Sequence, residues 1–168
     1  MRYSKIELTG LDIDWFAVDS MGQIAQFASS GSVLIPENVL KSKEMNERVT
    51  SYILDALEPS SDFRLFELWK RFRHESAVAL GNSPDCWDSF IEFAELGLYS
   101  YDCVCRGSVG EKGPYYLVAA PTNPLQIEDF PKWVRGFLCS TLIEGSFKDR
   151  QILSKGDIGL EVCQPREK

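Results

Sequence analysis

The sequence predicts an α+β fold: antiparallel hairpins packed against about three to four amphipathic helices, a single layer of sheet covered by helices. Three observations carry that expectation. The stretches 13–28 and 98–120 each read as strand, turn, strand. The stretches 44–57, 62–79 and 83–97 repeat apolar residues at the helical period. The 168 residues suit one domain, 1–168, long enough to bury a sizeable core without disulfide staples.

The first hairpin begins with the aromatic and β-branched run Ile13 to Asp19, turns through Asp19-Ser20-Met21-Gly22, and resumes alternation from Gln23 to Ala28. Asp19 can accept hydrogen bonds from backbone N–H groups of the turn. Gly22 can take the positive φ that a four-residue turn with a bulge requires. Ser29-Ser30-Gly31-Ser32 then breaks the strand. In Glu44 to Leu57, the residues Met45, Val49, Tyr52, Ile53, Ala56 and Leu57 follow the helical period, and Pro59 ends the helix. From Asp62 to Ala79, Leu65, Leu68, Trp69 and Phe72 share a face, with Lys70, Arg71 and Arg73 on the polar side. In the third helix Ser83 can cap and Pro84 takes the first position. Trp87, Phe90, Ile91 and Ala94 form its apolar face, and Gly97 suits the residue past its end.

A second hairpin follows, Leu98 to Cys105 and Tyr115 to Ala120, with Pro121 and Pro124 stopping its second strand. Its loop, Arg106 to Gly113, carries three glycines and both charge signs, including Arg106, Glu111 and Lys112. The loop reads equally as a recognition element or a connector. Between Leu125 and Phe147 the residues Phe130, Trp133, Val134, Phe137 and Leu138 suggest a helix, against which Pro131 and Gly136 argue. A last short strand is expected near Ile158 to Val162, followed by a frayed QPREK tail.

Charge is the most informative chemical feature. Between Glu75 and Asp102 stand six carboxylates and no Lys or Arg, against a net charge of −7 for the chain. Four of them, Asp85, Asp88, Glu92 and Glu95, are spaced three, four and three, which draws one line down a helix. A solvated face accounts for such a stripe. So does a surface for a basic protein partner, because no cation sits at i±3 or i±4 and Glu95 opposes the helix dipole. The same acidity argues against nucleic acid and anionic membrane as partners.

Catalytic and metal chemistries find little footing. The five cysteines show no disulfide-framework or zinc spacing and read as reduced thiols. His74 is the only histidine, and nothing in the sequence identifies a partner for it. Phosphate-loop, nucleophile-elbow and His-Glu-x-x-His motifs are missing, and no cofactor is expected. Asp12, Asp14 and Asp19 invite a metal or phosphoryl-transfer reading, with Asp12-x-Asp14 spaced like a catalytic Asp-x-Asp pair, but here the strand follows that pair, which favours turn and strand-edge roles. The N-terminus lacks a signal-peptide core and no run is long enough to span a bilayer, so the expected location is the cytoplasm.

The stretch Asp14-Trp-Phe-Ala-Val-Asp-Ser-Met-Gly-Gln-Ile-Ala-Gln-Phe27 resembles the opening hairpin of small bacterial immunity proteins of polymorphic toxin systems. The resemblance covers fourteen of 168 residues. It implies a small cytoplasmic antidote, without catalysis, that binds a toxin domain and blocks its active site. Nuclease-like toxin domains tend to be basic because their substrate is polyanionic, which an acidic stripe suits. Asp85, Asp88, Glu92 and Glu95 are the expected contact residues, with Asp14, Asp19, Arg106, Glu111 and Lys112 as secondary candidates. The alternative expectation is a small enzyme or ligand-binding domain, using a cleft between the hairpins and the Trp133 region.

Overall fold

The computed structural model of the chain describes residues 1–32, 34–69, 87–105 and 112–159. Its frame is a seven-stranded mixed sheet. Strands β1 (Asp14–Asp19) and β2 (Ile24–Ala28) form the first hairpin; β4 (Tyr99–Cys105) and β5 (Lys112–Pro121) form the second. Three short strands complete it: β3 (Phe63–Leu65), β6 (Leu142–Ile143) and β7 (Ile152–Leu153). The order is β3-β5-β4-β2-β1-β6, with β7 also paired to β5.

The two hairpins therefore form as the sequence predicts, but the sheet is not built of antiparallel hairpins alone. Strand β4 lies parallel to β2, with Phe27 opposite Tyr101, and β6 lies parallel to β1. The reason is the long crossover between β2 and β4, which returns the chain to the starting end before the next strand is laid down. It contains α2 (Glu37–Leu40), α3 (Lys43–Ala56), β3 and α4 (Asp88–Glu95). Helix α1 (Lys5–Gly10) precedes the sheet and α5 (Lys132–Leu138) follows β5.

Alternation along the central strands sends side chains to two covered faces. On one face Trp15, Phe27, Tyr101 and Tyr115 pack with Tyr3, Val39 of α2 and Phe147. Trp15 stacks on Phe27 with centroids 4.1 Å apart, and Phe27 stacks on Tyr101 at 5.0 Å. On the other face Phe16, Val18 and Ile24 meet Val49 and Ile53 of α3, Phe93 of α4, and Val134 and Leu138 of α5. Burial on both sides explains why β1 reads Trp-Phe-Ala-Val without a polar residue between. Arg48 of α3 lies over the Trp133 ring at 4.4 Å, and Tyr52 meets the same ring edge-on, which holds α3 to α5.

Local chemistry sets the boundaries. Gly22 has φ +76°, and Asp19 Oδ1 accepts from Met21 N and Gln23 N at 2.9 Å, as the turn composition predicts. Helix α3 runs within one residue of the predicted span. Ser4 and Glu7 form a reciprocal capping box at α1, which the expectations had left out. Two expected elements differ. Of the helix expected from Asp62 to Ala79, Phe63–Leu65 is a strand, because pairing with β5 outweighs the helical spacing of so short a piece; residues 67–69 are helical, and 70–79 lie outside the described residues. Among the described residues the last strand is β7; of the strand expected near Ile158 to Val162, Ile158 lies buried in a turn, and residues 160–162 lie outside the described residues. The 125–147 region resolves into a 3₁₀ turn at Ile127–Asp129, then α5, which starts after Pro131 and contains Gly136, then β6. Residues 70–86, 106–111 and 160–168, which include Ser83, Pro84, His74 and the QPREK tail, lie outside the described residues. No helix among the described residues is long and apolar enough to cross a membrane.

Candidate functional site

Helix α4 carries the acidic candidates. Its inward side buries Phe90, Phe93 and Ala94, and the same periodicity turns Asp88 and Glu92 out to solvent, with Glu95 half-buried. The spacing expected of the stripe is therefore met by these three residues; Asp85 lies outside the described residues. The helix ends at Gly97, whose φ of +92° places it in the left-handed region. Neither Asp88, Glu92 nor Glu95 is engaged in an ion pair among the described residues.

Tertiary contacts extend this face. The Glu95 carbonyl accepts from Ser60 N at 2.9 Å and Ser61 N at 3.0 Å, which satisfies an end of the helix that has no basic residue in its last turn. The same contacts bring Asp62 beside Glu95. Both line an open depression of about 320 Å³ with Pro59, Ser60, Ser61 and Asn123. Asp62 lies far from the stripe in sequence, so only the fold adds it.

The secondary candidates separate. Asp19 is buried, and both its oxygens are occupied: Oδ1 by the turn and Oδ2 by Phe147 N at 2.9 Å. It fixes the hairpin against the 3₁₀ turn Phe147–Asp149. Arg106 and Glu111 lie outside the described residues, and Lys112 enters only as the first residue of β5, paired with Cys105.

Asp14 occupies a different setting. It lies half-buried on the face of the sheet that α3 covers, and its Oδ1 accepts from Gln26 Nε2 at 2.5 Å. Gln26 Oε1 in turn accepts from Ser100 Oγ at 2.5 Å, giving a polar ladder across β1, β2 and β4. Burial pushes the Asp14 carboxyl up to about 6; the Gln26 hydrogen bond opposes the rise and the charge of Asp12 adds to it. Further along the same face Asp102 accepts from Trp69 Nε1 at 2.8 Å and Ser30 Oγ at 2.7 Å. Nothing in the sequence distinguishes these polar residues from surface ones except their place inside apolar strands.

Among the described residues no group of three or more His, Cys, Asp or Glu side chains is placed to hold a metal ion. Comparisons with known protein families, with curated proteins and with solved structures found no match for this chain.

Proposed function

We propose that this chain is a non-catalytic acidic binding protein of immunity type, which neutralises a basic, nuclease-like toxin domain by covering its active site. One observation carries the reading: Asp88 and Glu92 stand exposed, without ion-pair partners among the described residues, on a helix whose other side is locked into the core. Charges held on a rigid element and not neutralised locally are available to a cationic partner. Asp62 and Glu95 continue the same acidic surface. Complementary potentials would raise the association rate towards ~10⁸–10⁹ M⁻¹s⁻¹ at low salt, as an inhibitor that must act first requires.

The test is capture of partners from native cytoplasm at low salt with the tagged chain, beside a variant carrying Asp85→Asn, Asp88→Asn, Glu92→Gln and Glu95→Gln. The expected result is a basic protein retained by the parent chain, released by rising salt and lost from the variant. Equal retention by both would remove the stripe from the reading.

A specific observation favours a second reading, a small enzyme or ligand-binding domain. A half-buried carboxyl, that of Asp14, raised to about 6 is the kind of group active sites contain. Asp14, however, does not line the open depression beside Pro36 and Asn38, the one between Met1 and Arg48, or the one beside Pro59 and Asp62.

A further inference from the structure

Residues 1–11 are held to the rest of the chain by polar contacts more than by burial. In this segment one side chain is buried, that of Tyr3. Helix α1 buries none, Leu8 is half-buried, and Ile6 and Leu11 stand 83% and 51% exposed. A segment with so little apolar underside draws little from the hydrophobic effect, and such segments open locally at low cost.

The contacts that seat it on α2 and α3 are ionic and hydrogen-bonded. Arg2 grips Glu37 with two guanidinium nitrogens, at 2.6 and 3.1 Å, and Lys43 pairs with Glu7. Tyr3 N donates to the Leu40 carbonyl and Lys43 N to the Met1 carbonyl, each at 3.0 Å. The side chains of Arg2 and Glu37 are both more than half exposed, so water and salt compete for that pair.

The buried anchor carries a penalty of its own. Asn46 of α3 is 1% exposed, and its Nδ2 donates to the Asp14 carbonyl at 2.7 Å and to Tyr3 Oη at 3.0 Å. Its Oδ1 has no partner among the described residues. An enclosed acceptor without a donor costs the closed form the hydration it has lost. Tyr3 stands against that amide, so lifting Tyr3 admits water to it.

Past Leu11 the attachment changes. Ile13 N donates to Ser29 Oγ at 2.8 Å and Ser29 N to the Ile13 carbonyl at 3.1 Å, while Asp12 Oδ1 accepts from Ser30 N at 2.7 Å. A bend before Asp12 leaves all three bonds intact. The space around Gly10 is open, so the chain has room to turn there.

We propose that residues 1–11 are a strap that lifts as a unit from α2 and α3 as salt rises, hinged at Gly10 and Leu11, while the sheet and α3 stay folded. Lifting empties the slot that Tyr3 fills beside Leu40 and Asn46, and it frees the Lys43 N–H in the first turn of α3.

The experiment measures amide exchange of the full chain between ~0.01 M and ~1 M NaCl, over which the screening length falls from about 30 Å to about 3 Å. With two ion pairs screened, the Tyr3 and Lys43 amides should exchange together and roughly five- to tenfold faster at the high end. The amides of Val49 and Ile53 in α3 should keep their protection. The double variant Arg2→Gln, Glu7→Gln should exchange at low salt as fast as the parent does at high salt, and should lose the salt dependence. Tyr3 protection that ignores salt would overturn the proposal. So would Tyr3 and Lys43 amides that exchange only as slowly as those of Val49 and Ile53. Both outcomes are read on the parent chain, so they stand even should the variant fold poorly.

Discussion

The Trp15 indole Nε1 donates to the Tyr115 hydroxyl at 3.0 Å, joining β1 to β5 across the two strands that lie between them. Tyr115 Oη then donates to the Leu34 carbonyl at 2.7 Å, so one hydroxyl ties both β1 and β5 to the segment leading into α2. Both rings are fully buried, and burial holds the Tyr115 hydroxyl well above the ordinary tyrosine range.

Tyr115→Phe keeps the ring but strands a buried indole N–H and a carbonyl. The expected loss is about 1–3 kcal/mol, the desolvation cost of unsatisfied polar groups. Urea unfolding measures it: the midpoint should fall while the slope is unchanged. An unaltered midpoint would mean that other donors replace the hydroxyl.

Gly97→Ala tests the end of the acidic helix. A Cβ there would lie 2.8 Å from Leu125 Cγ and 3.2 Å from Leu125 N, on a backbone at φ +92°. Strain of about 1–3 kcal/mol is expected, read as a lower melting temperature. Because Leu125 N also donates to the Gly97 carbonyl at 2.9 Å, slow exchange of the Leu125 amide should be lost as well.

Glu95→Gln bears on why the stripe exists. A carboxylate in the last turn opposes the helix dipole, and Glu92 one turn earlier repels it. The variant should gain about 0.3–1 kcal/mol at low ionic strength, and the gain should shrink as salt rises. A loss of stability instead would show that Glu95 serves the fold rather than a partner.

Glu7→Gln addresses the N-terminal clasp. The Lys43 ammonium and the Ser4 amide hold the Glu7 carboxyl down at about 2. A carboxyl lowered on folding contributes stability that is present above its ordinary value of 4.5 and is lost as pH falls through about 2. Melting temperatures of parent and variant should therefore differ near neutral pH and converge towards pH 2. A constant gap across that range would sink the assignment.

How much of this was legible beforehand depends on the range of the interaction involved. The Asp19–Gly22 turn, α3 and the glycine stop of α4 follow from contacts within a few residues, and they stand where the sequence places them. The capping box Ser4-x-x-Glu7 was a readable sign of α1. Strands β3, β6 and β7 had none, since two or three residues carry no period and extend only because a partner strand is present. Of the acidic surface, Asp88, Glu92 and Glu95 were legible as a helical line, whereas Asp62 joins only through the hydrogen bonds of Ser60 and Ser61 to Glu95.

By itself the sequence determined which segments pair as hairpins, which side of α4 faces water, and that the chain would carry exposed negative charge. Tertiary structure alone decided that β4 runs parallel to β2 and that Asp14 sits beneath α3. Strand direction across a long crossover depends on where the chain returns, which no local pattern encodes. A carboxylate looks the same in sequence whether hydrated or enclosed. Its chemistry changes only when the fold takes away part of its hydration.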